Sequence, residues 1–269
     1  MSFNPLSIAD WLDAASRAGV PHVPAIPVAT VSKEAISWFE EAESRPEVAA
    51  ALRAFFDQVN EAERTHPEDV LRWDFCAPSD LKSAMARPGD GGRPERVWFT
   101  PDDPRFFDIL GMDWERPTVS AFRRPWVQAR IVAGFPEEYR VFLDAGSIVA
   151  TSSYYPQRPL PGTAERFETI STIEGYAARI ADAVDWRPDP DSRLWQKVGM
   201  GPVSCTMDFL VAETGEILFL EGGPPHRPRW GASPCCFADD DVRGTALSPR
   251  PGSKGYVEPT EQEPTRMMP

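Results

Sequence analysis

Histidine and cysteine are scarce. Three histidines (His22, His66, His226) and four cysteines (Cys76, Cys205, Cys235, Cys236) in 269 residues leave no pair at CxxC spacing, which argues against a zinc site of the kind such spacing sets up. Cys235 and Cys236 are adjacent, unlike a structural disulfide pair, so reduced thiols in a cytosolic protein are the simple expectation. Basic charge is also short: 28 Lys and Arg against 41 Asp and Glu give a net charge of −13. Such a chain is a poor partner for nucleic acid phosphates or anionic membranes. No apolar run approaches the length of a bilayer span, and Met1 to Leu12 has neither the basic start nor the apolar centre of a signal peptide. The expectation is a cytoplasmic protein that binds neither nucleic acid nor membrane. Pro88-Gly89-Asp90-Gly91-Gly92 is glycine-rich but fits no Walker A or dinucleotide fingerprint and reads as a surface loop. There is no internal repeat.

What the chain has is apolar material: 42% hydrophobic residues suffice for a sizeable core, in one large domain or two small ones. Ser7 to Ala18 is a predicted helix, with Ile8, Trp11, Leu12 and Ala15 on one face and Gly19 at its stop. Val20 to Val31 is interrupted by prolines and reads as extended. Ser32 is a candidate N-cap for a helix to Glu43, and Pro46 to Arg64 carries a stripe of Val48, Leu52, Phe55, Phe56 and Val59. Strands are predicted at Val70 to Phe75, Glu95 to Thr100 and Trp126 to Val132, with short helices at Asp80 to Ala86 and Pro104 to Leu110. Glu138 to Asp144 and Ser147 to Tyr154 form a hairpin about Ala145-Gly146, and Thr163 to Val184 is a long helix. Helices first, then hairpins with one helix inserted, favour an α+β fold over a doubly wound sheet.

The stretch with most chemistry is Val203 to His226. It reads as two strands joined at Glu213-Thr214-Gly215-Glu216, with Gly215 supplying the positive φ of the turn. Asp208 lies inside the first strand and Glu221 ends the second, before Gly222-Gly223-Pro224-Pro225. Two readings fit: surface acids on a hairpin, or converging carboxylates that hold a hard divalent ion such as Mg²⁺. Upstream, Glu138 and Arg140 share a strand face, Arg72 sits in an earlier strand and Lys82 on the next helix. Such cations are either internal ion-pair partners or clamps for an anionic ligand. Cations for phosphate and carboxylates for Mg²⁺ are wanted together by a nucleoside triphosphate.

Three segments in order carry a resemblance. Glu138-Tyr139-Arg140-Val141-Phe142-Leu143, followed by Gly146 to Ala150 and Tyr154-Tyr155, resembles the E-[FY]-R-x-F-[VL] hairpin of ATP-grasp proteins, closest to the cell division cycle protein 123 family and to bacterial and phage ATP-grasp domains. Arg72 and Cys76-Ala77-Pro78-Ser79-Asp80 resemble the preceding cationic strand and its Ser-Pro-x-Asp turn. Asp208-Phe209-Leu210-Val211 and Leu220-Glu221-Gly222-Gly223-Pro224 resemble the closing strand pair. The resemblance covers roughly Val70 to Pro225. It implies two antiparallel sheets with ATP between them, Mg²⁺ on Asp208 and Glu221, and Arg72 and Arg140 on phosphate or substrate carboxylate. It also implies an adenine slot lined by Gln128, Ala129, Arg130 and Ile131, and a phosphate contact from Lys82. Residues 1–69 are then a helical N-terminal region packed on the core, 70–238 the ATP-grasp core, and 239–269, rich in Pro, Gly and charge, a disordered or loosely attached tail. The implied activity is an ATP- and Mg²⁺-dependent ligase that joins a small carboxylate to an amine or thiol through an acyl phosphate. The alternative is an ATP-binding assembly factor with a protein partner and no ligase turnover. Two departures stand out: Gly223 replaces the usual Asn, and Arg72 replaces a frequent Lys.

Overall fold

The computed structural model describes residues 3–38, 44–74, 114–132, 135–153, 164–223 and 247–248. Helix α1 is Ile8–Arg17. The Ser7 hydroxyl caps it by accepting from the Asp10 amide, and Gly19 leaves it at φ 62°. Helix α2, Lys33–Ser37, is capped by Ser32, whose hydroxyl accepts from Ala35 N; the continuation expected to Glu43 ends at Ser37, with Trp38 as C-cap. Helix α3 is Pro46–Thr65, with Pro46 at the first position, where its missing N–H costs nothing.

Strands β1 (Ile26–Ser32), β2 (Asp69–Trp73) and β3 (Thr118–Pro125) make an antiparallel sheet in the order β1-β3-β2. Pro27 falls on the edge strand at a bulge, where a missing donor is tolerated. One face of this sheet carries Ala29, Val31, Leu71, Trp73, Val119 and Ala121 into a core with α2 and α3. The alternation of a strand then puts Arg72, Phe122 and Arg124 on the other face.

The larger sheet has the order β10-β7-β6-β8-β9, all antiparallel. Its strands are β6 (Glu138–Asp144), β7 (Ser147–Ser153), β8 (Cys205–Val211), β9 (Ile217–Gly222) and β10 (Leu247–Ser248). The β6–β7 turn uses Ala145 at φ 47° and Gly146 at φ 79°, both left-handed, as a tight hairpin needs. Tyr139, Val141, Leu143, Cys205, Met207, Phe209 and Phe219 point into a second core, closed by α1 and by helix α4, Ala164–Ala183. A short helix α5, Arg193–Val198, leads into β8. Strands β4 (Ile131–Val132) and β5 (Phe135–Pro136) form a small ribbon between the sheets.

One expectation is corrected. The strand predicted over Trp126 to Val132 exists only as the two residues of β4, while the long strand, β3, lies just before it and pairs on both sides. Within residues 1–69, β1 is a strand of the smaller sheet and α1 lies on the larger. Leu247–Ser248, as β10, pairs with Thr151 and Ser152 at the sheet edge. The segments predicted at Asp80 to Ala86, Glu95 to Thr100 and Pro104 to Leu110 lie outside the described residues.

Candidate nucleotide site

The site is a consequence of register. Arg140 on β6 is paired with Asp208 on β8, and Asp208 with Glu221 on β9, where a bulge follows. The three side chains therefore share one row on the face away from the core. Arg140 donates from Nε and Nη2 to the two oxygens of Asp208 at 2.6 and 2.7 Å, a bidentate pair. Arg72, from the opposing face of the smaller sheet, donates to Glu221 at 2.7 Å. Arg140, Asp208 and Glu221 are 4%, 1% and 2% exposed. Charges so far from water are sustained because each has an opposite partner. Four residues singled out in the sequence are thus brought into one chain of contacts that joins the two sheets.

Sequence reasoning missed a third cation. Arg124, on the same face of the smaller sheet as Arg72, donates from Nη2 to the Val23 and Leu220 carbonyls at 2.7 and 2.8 Å. Burial first, and neighbouring Arg72 second, lower its pKa to about 9 against the opposing charge of Glu221. Its Nε has no acceptor among the described residues. The signal was the Arg123-Arg124 pair in a segment of alternating pattern; Arg123, on the other face, goes to Asp69 at 2.5 Å.

The Gln128 to Ile131 segment runs along the end of β8. Arg130 N donates to Val211 O, Glu137 N to Arg130 O and Glu213 N to Gln128 O, at 2.7 to 2.9 Å, and Ala129 bridges Ala212. These peptide groups tie the segment to β8 and β5. The Arg130 side chain bridges Glu137 and Glu165, and Glu137, fully buried, also accepts from the Tyr139 hydroxyl at 2.7 Å. Burial and that carboxylate hold the Tyr139 pKa well above its ordinary value. This cluster fastens α4 to the sheet. Lys82, the Cys76 to Asp80 turn, Tyr154-Tyr155, Cys235 and Cys236 lie outside the described residues.

Gly223 is fixed by its neighbours. Its amide donates to the Thr206 carbonyl at 2.7 Å, and a Cβ there would fall 2.0 Å from the Thr206 hydroxyl oxygen. An Asn cannot occupy this backbone unless Thr206 changes. At Gly222 a Cβ would fall 2.2 Å from the Trp11 ring.

Two antiparallel sheets, one carrying Arg140, Asp208 and Glu221 and the other Arg72 and Arg124, match the architecture that the ATP-grasp resemblance implies. Solved structures similar to this chain include Cdc123 from Schizosaccharomyces pombe, at 11% identity over 83% of this chain and 86% of that one, TM-score 0.43. Another is N5-carboxyaminoimidazole synthase from Aspergillus clavatus in complex with ADP, at 11% identity over 81% of this chain and 44% of that one, TM-score 0.39. D-cycloserine synthetase DcsG matches at 15% identity over 82% and 62%, TM-score 0.34. No family model matches the sequence, and no curated protein does. At these scores, what the chain can do is decided by its own side chains. Among the described residues no helix is long and apolar enough to cross a membrane.

Proposed function

We propose that the chain is an ATP-grasp ligase that binds ATP with Mg²⁺ between its sheets and joins a small carboxylate to an amine or thiol. The observation that carries this is the row Arg140–Asp208–Glu221–Arg72, in which two buried carboxylates and a guanidinium of the larger sheet meet a second guanidinium from the smaller one. Arg72, Arg124 and Arg140 are the groups for phosphate, and guanidinium suits it because its fork presents several donors at once. Lys82 is a further phosphate contact, and Ala129 and Ile131 flank the base.

The donor set fits a hard cation. Asp208 and Glu221 are oxygen ligands, and the Thr206 hydroxyl beside them is buried with no hydrogen-bond partner among the described residues. Each carboxylate oxygen has two lone pairs, so an oxygen that accepts from arginine can also ligate a metal. Mg²⁺, when bound, supplies neutralisation of charge on the phosphates. Arg140 and Arg72 orient the anionic groups so that a substrate carboxylate oxygen attacks the γ-phosphorus and ADP departs. The amine or thiol then attacks the acyl carbon and inorganic phosphate departs, the nucleophile's proton passing to solvent. A second reading, nucleotide binding by an assembly factor without turnover, is favoured by Gly223, which offers no side chain where the family usually has Asn. Mg²⁺-dependent ATP binding and ADP release, measured with and without a pool of amino acids for the native chain and Asp208→Ala, separate the two. Binding with amino-acid-stimulated ADP release, lost in the variant, is expected. Binding without release leaves the assembly reading, and no binding removes both.

A further inference from the structure

We infer that the Thr206 hydroxyl is the third protein oxygen of the cation position formed with Asp208 and Glu221; this rests on the nucleotide reading above. Thr206 and Asp208 are two apart on β8 and share a face, while Gly223 lies two beyond Glu221 on the neighbouring strand. The Gly223 N–H to Thr206 carbonyl bond makes these two residues cross-strand neighbours, next along from the Asp208–Glu221 pair. The hydroxyl oxygen occupies the space a side chain at residue 223 would enter, 2.0 Å from where its Cβ would stand. Thr206 is 1% exposed, and its hydroxyl has no hydrogen-bond partner among the described residues.

An unmade hydrogen bond on a buried hydroxyl costs about 1–3 kcal/mol. Valine has the same outline and carries no such cost, so packing and strand formation do not account for an oxygen here. A ligand does. The position lies on the face of the two carboxylates, one cross-strand pair along, where a neutral oxygen completes a hard-cation donor set without adding to the repulsion between them. A side chain at residue 223 would compete with that hydroxyl for the same space.

The test uses the full chain, ADP, and Mn²⁺ as a paramagnetic stand-in for Mg²⁺, with free Mn²⁺ counted by electron paramagnetic resonance. T206V is expected to weaken Mn²⁺ binding to the ADP complex by about tenfold or more, while ADP affinity in EDTA stays within about twofold and T206S keeps Mn²⁺ affinity near the native value. T206A replaces T206V if the valine chain does not fold. Unchanged Mn²⁺ affinity in the hydroxyl-free variant overturns the inference and leaves the nucleotide reading standing. Equal loss of metal-free ADP binding also overturns it, because Thr206 would then touch nucleotide or hold the fold. A native chain that binds no ADP overturns both.

Discussion

Replacing Asp208 by Asn keeps shape and removes charge from the most buried ion pair of the site. Asp208 is 1% exposed and Arg140 4%, and the two hydrogen bonds between them are 2.6 and 2.7 Å. The amide nitrogen of Asn cannot accept, so one guanidinium N–H loses its acceptor and the charge its nearest counter-charge. Breaking a buried pair from one side costs about 3–5 kcal/mol, against a total stability of about 5–15 kcal/mol for a domain. Asp208→Asn should therefore shift the urea midpoint markedly, read by tryptophan fluorescence. The same reasoning makes the cost depend on Arg140. In Arg140→Met, the charge that suffers is absent, so adding Asp208→Asn should cost less than it does in the native chain. A coupling of about 1–3 kcal/mol is expected in this double-mutant cycle. Additive costs, or a single-variant change within about 0.5 kcal/mol, would refute the view that this pair is an electrostatic unit, and with it the account of how the charged row stays buried.

Three further outcomes follow from particular contacts. Gly223→Ala should destabilise by about 1–3 kcal/mol through overlap with the Thr206 hydroxyl, and by less in a Thr206→Ala background, where the nearest remaining side-chain atom is Thr206 Cβ at 3.3 Å; equal costs in chemical denaturation would contradict this. Asp74 is buried at the start of α1, and burial raises its pKa from an ordinary 3.8 to about 6, against bonds from Ala9 N and Ser7 and the charge of Arg116. Its raised value means the native state takes up a proton between pH 4 and 6 that the unfolded chain does not, so this contribution is full below pH 4 and lost as pH rises through 6. Asp74→Asn should thus gain stability relative to native from pH 4 to 7, by up to ~3 kcal/mol, and a pH-independent difference would contradict the shift. Gly222→Ala should cost several kcal/mol or prevent folding, since its Cβ would lie 2.2 to 2.5 Å from three atoms of the buried Trp11 ring; an unchanged near-ultraviolet circular dichroism spectrum and melting temperature would be the contrary result.

The hairpins were legible because their turns are chemically marked: Ala145-Gly146 and Gly215 take positive φ, and the flanking residues pair as the turns dictate. Helix α1 was legible from the Ile8, Trp11, Leu12 and Ala15 face and the Gly19 stop, and α2 from Ser32, whose hydroxyl does cap it. Strand β3 was not. Thr118–Pro125 contains two arginines and ends in proline, and what makes it a strand is pairing with β1 and β2, one nearly a hundred residues earlier in the chain. The more apolar Trp126 to Val132 attracted the prediction instead. The two-residue β10 likewise owes its existence to the β7 edge. For the site, the four charged residues could be named from motif order, but their connection could not, because it depends on cross-strand register. Arg124 had a signal in the Arg123-Arg124 pair, but its place on the inner face and Thr206's unpaired hydroxyl became visible only in the packed sheets.

Helix α1 contributes no group to the charged row, yet it touches both sheets. Its first turn is held by Asp74, the residue that follows β2 and that hydrogen-bonds to β3 through Ser120 O. Its middle presses Trp11 onto Gly222 of β9, next to Glu221. The helix is a strut set across the two sheets, with one foot on each. Drawing the sheets apart would have to lift one foot, removing either a buried carboxylate from a helix end or an indole from its slot. The spacing of the sheets is therefore tied to the seating of a helix that carries none of the row's charges.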